Sequence, residues 1–444
     1  MINKQELDIL RAALDKLEEG SVDLPEFTPS FDENAVAGVI AEVAERMQDN
    51  YPYYHPHYAG QMLKPPHPVA RIAYALSLWV NPNNHALDGG RASSAMEKEC
   101  VAELGQMFGW DAPLGHLAGG GTMANLEALW VSGRLHPGKK VIASSQAHYT
   151  HSRISDVLGI PFSAVAVDDA GRMDLAAVEQ ALAGGDVGTV VVTIGNTGLG
   201  AVDPLPGILA LRDKFDFRIH ADAAYGGYFC LANELDASTR AAFAALGGAD
   251  SIVIDPHKHG LQPYGCGCVL FRDPSVGRLY KHESPYTYFS SGDLHLGEIT
   301  LECSRPGASA VALWATHRLL PPVPGGDFAK GMDACLRAAK LFWQRLDASS
   351  TFTPLMQPEL DIVVYAVNAD TTSESARRAR EVFDEAARRN LHLALIELPA
   401  QLVNRYAPEI TVDSESVTCL RSVLMKPEHE DWVDRLTALL EASA

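Results

Sequence analysis

Lys258 stands in Ser251-Ile-Val-Ile-Asp-Pro-His-Lys-His-Gly260, directly behind a run of β-branched residues. The run reads as a buried strand, and Pro256 ends it because proline cannot continue a hydrogen-bonded ladder. An amine delivered at a strand end between His257 and His259 suits Schiff-base chemistry, since desolvation and cationic neighbours both favour the neutral, nucleophilic form. Taken alone, the same pattern fits an ordinary surface lysine. Partner residues elsewhere have to decide.

Asp222 is one such partner. It closes the short strand pattern Phe217-Arg-Ile-His-Ala-Asp222 and is followed by Ala223, Ala224 and Gly226. A pyridine ring that acts as an electron sink must keep its nitrogen protonated, and a fixed carboxylate beside that nitrogen raises its pKa. Small residues after the carboxylate let a flat ring approach the backbone; a strand-end aspartate capping a turn is the plainer alternative. A second partner is the glycine run Gly119-Gly-Gly-Thr122, which leads straight into a helical pattern. Free N–H groups at such a helix start bind phosphate. The run is neither a Walker loop nor Gly-x-Gly-x-x-Gly, and a bare glycine turn explains it equally well. In Gln146-Ala-His-Tyr-Thr-His151, His148 could stack on a planar cofactor, or His148 and His151 could bind a metal. Without acidic or cysteine partners nearby, the metal reading is the weaker of the two.

Four blocks in this order, Gly119–Asn125, Gln146–His148, His220–Gly227 and Asp255–Lys258, resemble the group II pyridoxal-phosphate-dependent amino-acid decarboxylases, which include aromatic-amino-acid and glutamate decarboxylases. With flanking segments the similarity runs over residues 50–320; beyond that the chain fits by size and pattern. The resemblance implies an α/β fold of the aspartate aminotransferase type (fold type I) and pyridoxal 5'-phosphate as cofactor. It implies a Schiff base at Lys258, a ring-nitrogen partner at Asp222, a ring-stacking His148 with Ala224 beside the ring, and phosphate contacts from Gly120, Gly121, Thr122 and His257. It also implies a homodimer with active sites at the subunit interface. The activity implied is decarboxylation of an L-amino acid to an amine and carbon dioxide. Carbon–carbon lysis or aldehyde synthesis on the same scaffold is the alternative.

Decarboxylation needs the α-carboxylate held perpendicular to the ring, and a nearby cation must orient it. Arg305, close to the place of a family arginine, is the candidate; an interdomain salt bridge is its other reading. Return of a proton to Cα falls to Tyr286 or Tyr288, since relatives use a loop tyrosine, or to His257. Gln61 occupies a position where glutamate and cysteine-sulfinate decarboxylases also carry glutamine, which points to a polar or acidic substrate. His57, Tyr58 and Met62 could instead line an apolar pocket for an aromatic one. Two segments depart from the family pattern: His259 stands where tryptophan is common, and Pro263-Tyr-Gly-Cys-Gly267 is unlike the usual apolar continuation.

Elements must position these residues, and the 444-residue chain is long enough for at least two domains. Its composition, 47% hydrophobic and 21% charged, is that of a soluble globular protein, and a formal charge of −20 disfavours nucleic acid as a partner. No apolar run long enough to span a bilayer occurs, and the N-terminus reads as a charged helix rather than a signal peptide. Seven scattered cysteines without a Cys-x-x-Cys pair predict reduced thiols in a cytoplasmic enzyme and no metal.

Three regions separate along the chain. Residues 1–60 read as a helical arm or lid. Residues 61–322 alternate strands with helices, and the strands fall at 140–143, 164–167, 190–194, 218–220, 252–254 and 269–271. This predicts a large, mainly parallel sheet with ligands at the strand C-termini. Pro321-Pro-Val-Pro-Gly-Gly326 marks a boundary, and residues 323–444 form a small C-terminal α/β unit.

Overall fold

The computed structural model describes residues 3–21, 23–25, 27, 30–281 and 300–444. Seven strands build the large sheet: β1 (Leu114–Ala118), β2 (Lys140–Ser144), β3 (Phe162–Val165), β4 (Val187–Thr193), β5 (Arg218–Asp222), β6 (Ser251–Ile254) and β7 (Gly267–Phe271). Their spatial order is β1-β7-β6-β5-β4-β2-β3, and β7 alone runs against its neighbours. Every residue of β4 is buried, as expected of a central strand covered by helices on both faces. Its Val-rich run was therefore readable, whereas β1 was not predicted. Leu114-Gly-His-Leu-Ala118 is short, carries glycine and histidine, and runs into the glycine turn.

Helices return the chain across this sheet. The helix Gly121–Leu135 follows β1, and Thr150–Leu158 follows β2 and stops at Gly159, whose φ of +66° is left-handed. A short capped helix, Leu175–Ala183, starts where the Asp174 side chain accepts the Ala177 N–H.

The C-terminal sheet contains β8 (Phe352–Pro354), β9 (Ile362–Val367), β10 (Ala394–Pro399) and β11 (Ser416–Val423) in the order β10-β11-β9-β8, antiparallel throughout. The helices Asp327–Asp347, Thr372–Arg388 and His429–Glu441 cover it around a core that includes Phe342, Tyr365 and Leu420. The chain at Tyr58–Ala59 is stitched to this unit: Ala59 N–H donates to His392 O, and Val423 N–H donates to Ala59 O. The segment that leads into Gln61 thus packs on the C-terminal unit. The N-terminal helices Gln5–Glu18 and Glu33–Arg46 bury none of their residues. No helix among the described residues is long and apolar enough to cross a membrane.

Candidate active site

One cavity of about 340 Å³ opens at the C-terminal ends of the strands that run in a common direction. β1 delivers Gly119–Gly121, β2 delivers His148, β5 ends on Asp222, and β6 leads into Asp255–Lys258. Gly120, Gly121, Thr122, His148, Asp222, Ala224, His257 and Lys258 all line it, so eight residues from four separate sequence blocks converge on one volume.

The glycine turn is built to receive an anion. Gly120 has φ +146°, open to glycine and rarely adopted by other residues, and no side chain caps the helix that follows. The first intrahelical bond is Ala124 N–H to Gly120 O, which leaves the amides of the first turn for a ligand. Gly121 must stay bare because a Cβ there would lie 2.7 Å from Asp255 Oδ2. The Gly119 N–H is already taken by the Glu302 carboxylate, so the amides of the helix's first turn are the ones that remain for phosphate.

Lys258 Nζ lies 3.0 Å from Asp255 Oδ2, with Asp255 itself buried. The flanking histidines do not act as cationic neighbours. Burial pushes both imidazoles below their ordinary value. His257 Nδ1 donates to Cys266 O at 2.8 Å, and its Nε2 is 3.6 Å from Asp255 Oδ2. His259 turns away from the cavity, with Nε2 3.1 Å from Asp361 and its ring against Tyr225 and Phe229. These two histidines therefore bring no positive charge to the surroundings of Lys258.

His148 Nδ1 accepts from Thr150 Oγ1 at 2.5 Å and from the Thr150 N–H at 3.3 Å, so its ring proton sits on Nε2. Asp222 Oδ2 accepts from His151 Nε2 at 2.7 Å, and Oδ1 accepts the Ala224 N–H at 3.2 Å. Burial alone would raise the Asp222 carboxyl; the His151 hydrogen bond and the Lys258 charge outweigh it and hold the group well below the usual carboxylate range. His151 Nε2 is engaged with Asp222, and among the described residues neither histidine belongs to a group of three or more side chains placed to hold a metal.

Two expected substrate contacts sit elsewhere. Arg305 is not a cavity residue. It is buried, with Nη1 2.6 Å from Glu97 Oε1 and 2.7 Å from Leu117 O, and Nη2 3.0 Å from Asn84 O. Buried carboxylate and carbonyl acceptors have claimed both its terminal nitrogens, so the salt-bridge reading replaces the substrate one. Gln61 also lies outside the cavity lining, exposed, with its Oε1 accepting from Arg421 Nη1 at 3.2 Å. Tyr286 and Tyr288 lie outside the described residues.

Sequence reasoning missed several residues that the fold brings in. Thr193 ends β4 and Gly195 and Thr197 follow it, while Tyr225, Asp255 and Tyr264 complete the wall. Tyr264 leans over the His257 ring and donates to Met62 O. Buried Arg421, on β11, holds Thr197 O at 2.6 Å and Gly198 O at 3.0 Å. For Asp255 the signal is its place as a strand-end carboxylate three residues before Lys258.

The donor set fits a phosphorylated pyridine: uncapped amides for the phosphate, a lysine amine for the carbonyl end, and a buried, ionised carboxylate for the ring nitrogen. Residues 132–368, more than half of the chain, match the model of the pyridoxal-dependent decarboxylase conserved domain. The chain belongs to the pyridoxal-dependent decarboxylase family. By that membership it is an amino-acid decarboxylase that uses pyridoxal phosphate. It is 33% identical over 265 residues to a Halobacterium salinarum protein named "Probable L-aspartate decarboxylase", covering 59% of this chain and 71% of the relative. It is 29% identical over 326 residues to a Methanothermobacter thermautotrophicus protein named "Probable L-tyrosine/L-aspartate decarboxylase", covering 73% and 86%. The structure of mouse CSAD superposes with a TM-score of 0.80 at 19% identity, over 97% of this chain and 92% of that one, a likeness of fold.

Proposed function

We propose that this cavity holds pyridoxal 5'-phosphate on Lys258 and removes the α-carboxyl of an acidic or aromatic L-amino acid, L-aspartate or L-tyrosine, releasing the amine and carbon dioxide. The observation that carries the reading is the convergence of Lys258, Asp222, His148 and the glycine turn on a single cavity. When bound, the cofactor supplies an electron sink for the bond broken at Cα.

The chain's own residues do the rest. The first-turn amides of the helix Gly121–Leu135 and Thr122 bind the phosphate, and Gly120 leaves room for it. Asp222, ionised and hydrogen-bonded by His151, holds a proton on the ring nitrogen. His148 offers Nε2–H into the cavity, and Ala224 gives the ring a flat, small surface. Arg421, buried on β11, fixes the Thr197 wall by donating to Thr197 O and Gly198 O. The names of the relatives, an L-aspartate decarboxylase and an L-tyrosine/L-aspartate decarboxylase, support the substrate pair.

The functional unit in this reading is a cytoplasmic homodimer. Val36, Val39, Ile40 and Val43 on the helix Glu33–Arg46, with Met47 just beyond its end, form an exposed apolar stripe, which suits burial against a second copy. Unpaired cysteines suit a reducing compartment. The test is product analysis: the holoenzyme given L-aspartate or L-tyrosine should release amine and carbon dioxide one to one. Aldehyde with ammonia, or a shortened carbon chain, would overturn it.

A further inference from the structure

His151 was a leftover of the sequence, a histidine one helical turn beyond His148. The fold places it under Asp222, on the helix Thr150–Leu158 and fully buried. Its Nε2 is 2.7 Å from Asp222 Oδ2, whereas its Nδ1 is buried with no hydrogen-bond partner. An imidazole with one bare nitrogen in a dry site carries its proton on the other, so His151 is the donor and Asp222 the acceptor. The neighbouring His220 cannot substitute. Its Nδ1 is occupied by Ser251 Oγ at 2.9 Å and its Nε2 by Asn125 Oδ1 at 2.7 Å.

We infer that His151 is a positioning residue for the cofactor: its Nε2–H fixes the rotamer of Asp222 and keeps that carboxylate ionised, so that the proton shared with the ring nitrogen stays on the ring. The inference rests on the reading of Asp222 as the ring-nitrogen partner. Two features support it beyond the hydrogen bond. The Ala224 N–H at Oδ1 fixes the second oxygen, so the carboxylate is held through both oxygens at the wall of the cavity that it lines. The buried site raises the worth of a hydrogen bond to a charged acceptor, and losing one costs about 1.5–3 kcal/mol, at least tenfold in an equilibrium constant.

The test compares wild type, His151→Phe, His151→Gln and Asp222→Ala, each loaded with pyridoxal phosphate labelled with nitrogen-15 in the ring. Two quantities are read: the ring-nitrogen chemical shift and the dissociation constant. A parallel series uses the 1-deaza cofactor, which has carbon at that ring position. His151→Phe should move the nitrogen resonance towards the unprotonated pyridine value and weaken pyridoxal phosphate about tenfold or more. Gln, which keeps a donor, should recover most of both. With the deaza cofactor, wild type and His151→Phe should bind alike. An unchanged resonance in His151→Phe alongside a shifted one in Asp222→Ala would overturn the inference and leave the Asp222 reading standing. An unchanged resonance in both would remove that reading as well. Equal loss of both cofactors in His151→Phe would make His151 structural only and would also overturn the inference.

Discussion

Replacing Arg305 by methionine tests whether its charge serves the substrate or the frame. Glu97 is buried and receives Arg305 Nη1 at 2.6 Å, the Leu117 N–H at 2.8 Å and Asn84 Nδ2 at 2.5 Å. Methionine keeps much of the volume but leaves a buried carboxylate without its counter-ion and strips donors from Leu117 O and Asn84 O. Breaking one side of such a pair costs about 3–5 kcal/mol, whereas removing both charges together costs far less. Arg305→Met should therefore lose about 3–5 kcal/mol in urea unfolding, and Arg305→Met with Glu97→Gln should regain most of that loss. Because Leu117 leads directly into the glycine turn, cofactor affinity should fall in the single variant and recover in the double one. Unchanged stability combined with a raised KM for the amino acid would refute the frame reading and return Arg305 to the substrate.

Other expectations follow from equally local geometry. In Gly267→Ala the new Cβ would lie 2.5 Å from the Gly120 carbonyl carbon, so the glycine turn must shift; cofactor affinity should drop about tenfold by fluorescence titration, and an unchanged affinity would contradict the assigned phosphate seat. His429 is buried with Nε2 donating to Pro56 O and Nδ1 accepting the Lys426 N–H, and burial followed by the Lys426 charge pushes it down to about 3. The unfolded imidazole, near its ordinary value of 6.5, takes up a proton that the folded one refuses. Stability from this group is complete above that value and falls as pH drops from 6.5 towards 3, by about 1.4 kcal/mol per pH unit; His429→Gln should flatten the urea-midpoint profile by that slope, and an identical profile would contradict it. If the proposed homodimer forms through the exposed stripe, Ile40→Asp with Val43→Asp should give monomer in light scattering where the wild type gives dimer; a wild-type monomer, or a variant that stays dimeric, would contradict that interface.

Much of the site was legible because its residues sit where buried strands end. Apolar runs such as Val190-Val-Val192 and Ile252-Val-Ile254 announce strands, and the polar residue that breaks each run falls at the sheet's carboxyl edge, where ligands bind. Asp222 and Lys258 were found in this way. Roles that depend on distant partners were not legible. Arg305 meets Glu97 across 208 residues, and His151 meets Asp222 across 71. Nothing local distinguishes an arginine that binds substrate from one that ties β1 to its neighbours. The small sheet's antiparallel order was equally hidden, because alternating elements announce an α/β unit without fixing strand direction, and β8 is three residues ending in proline.

The central claim is that one amine, Lys258, carries the cofactor. Borohydride reduction of the holoenzyme followed by peptide mass spectrometry tests it most directly. The phosphopyridoxyl group should be found on Lys258, and Lys258→Ala should take up none. Recovery of that group on another lysine, such as the half-buried Lys64 or the buried Lys426, or an unmodified Lys258 in protein that decarboxylates amino acids, would contradict the account.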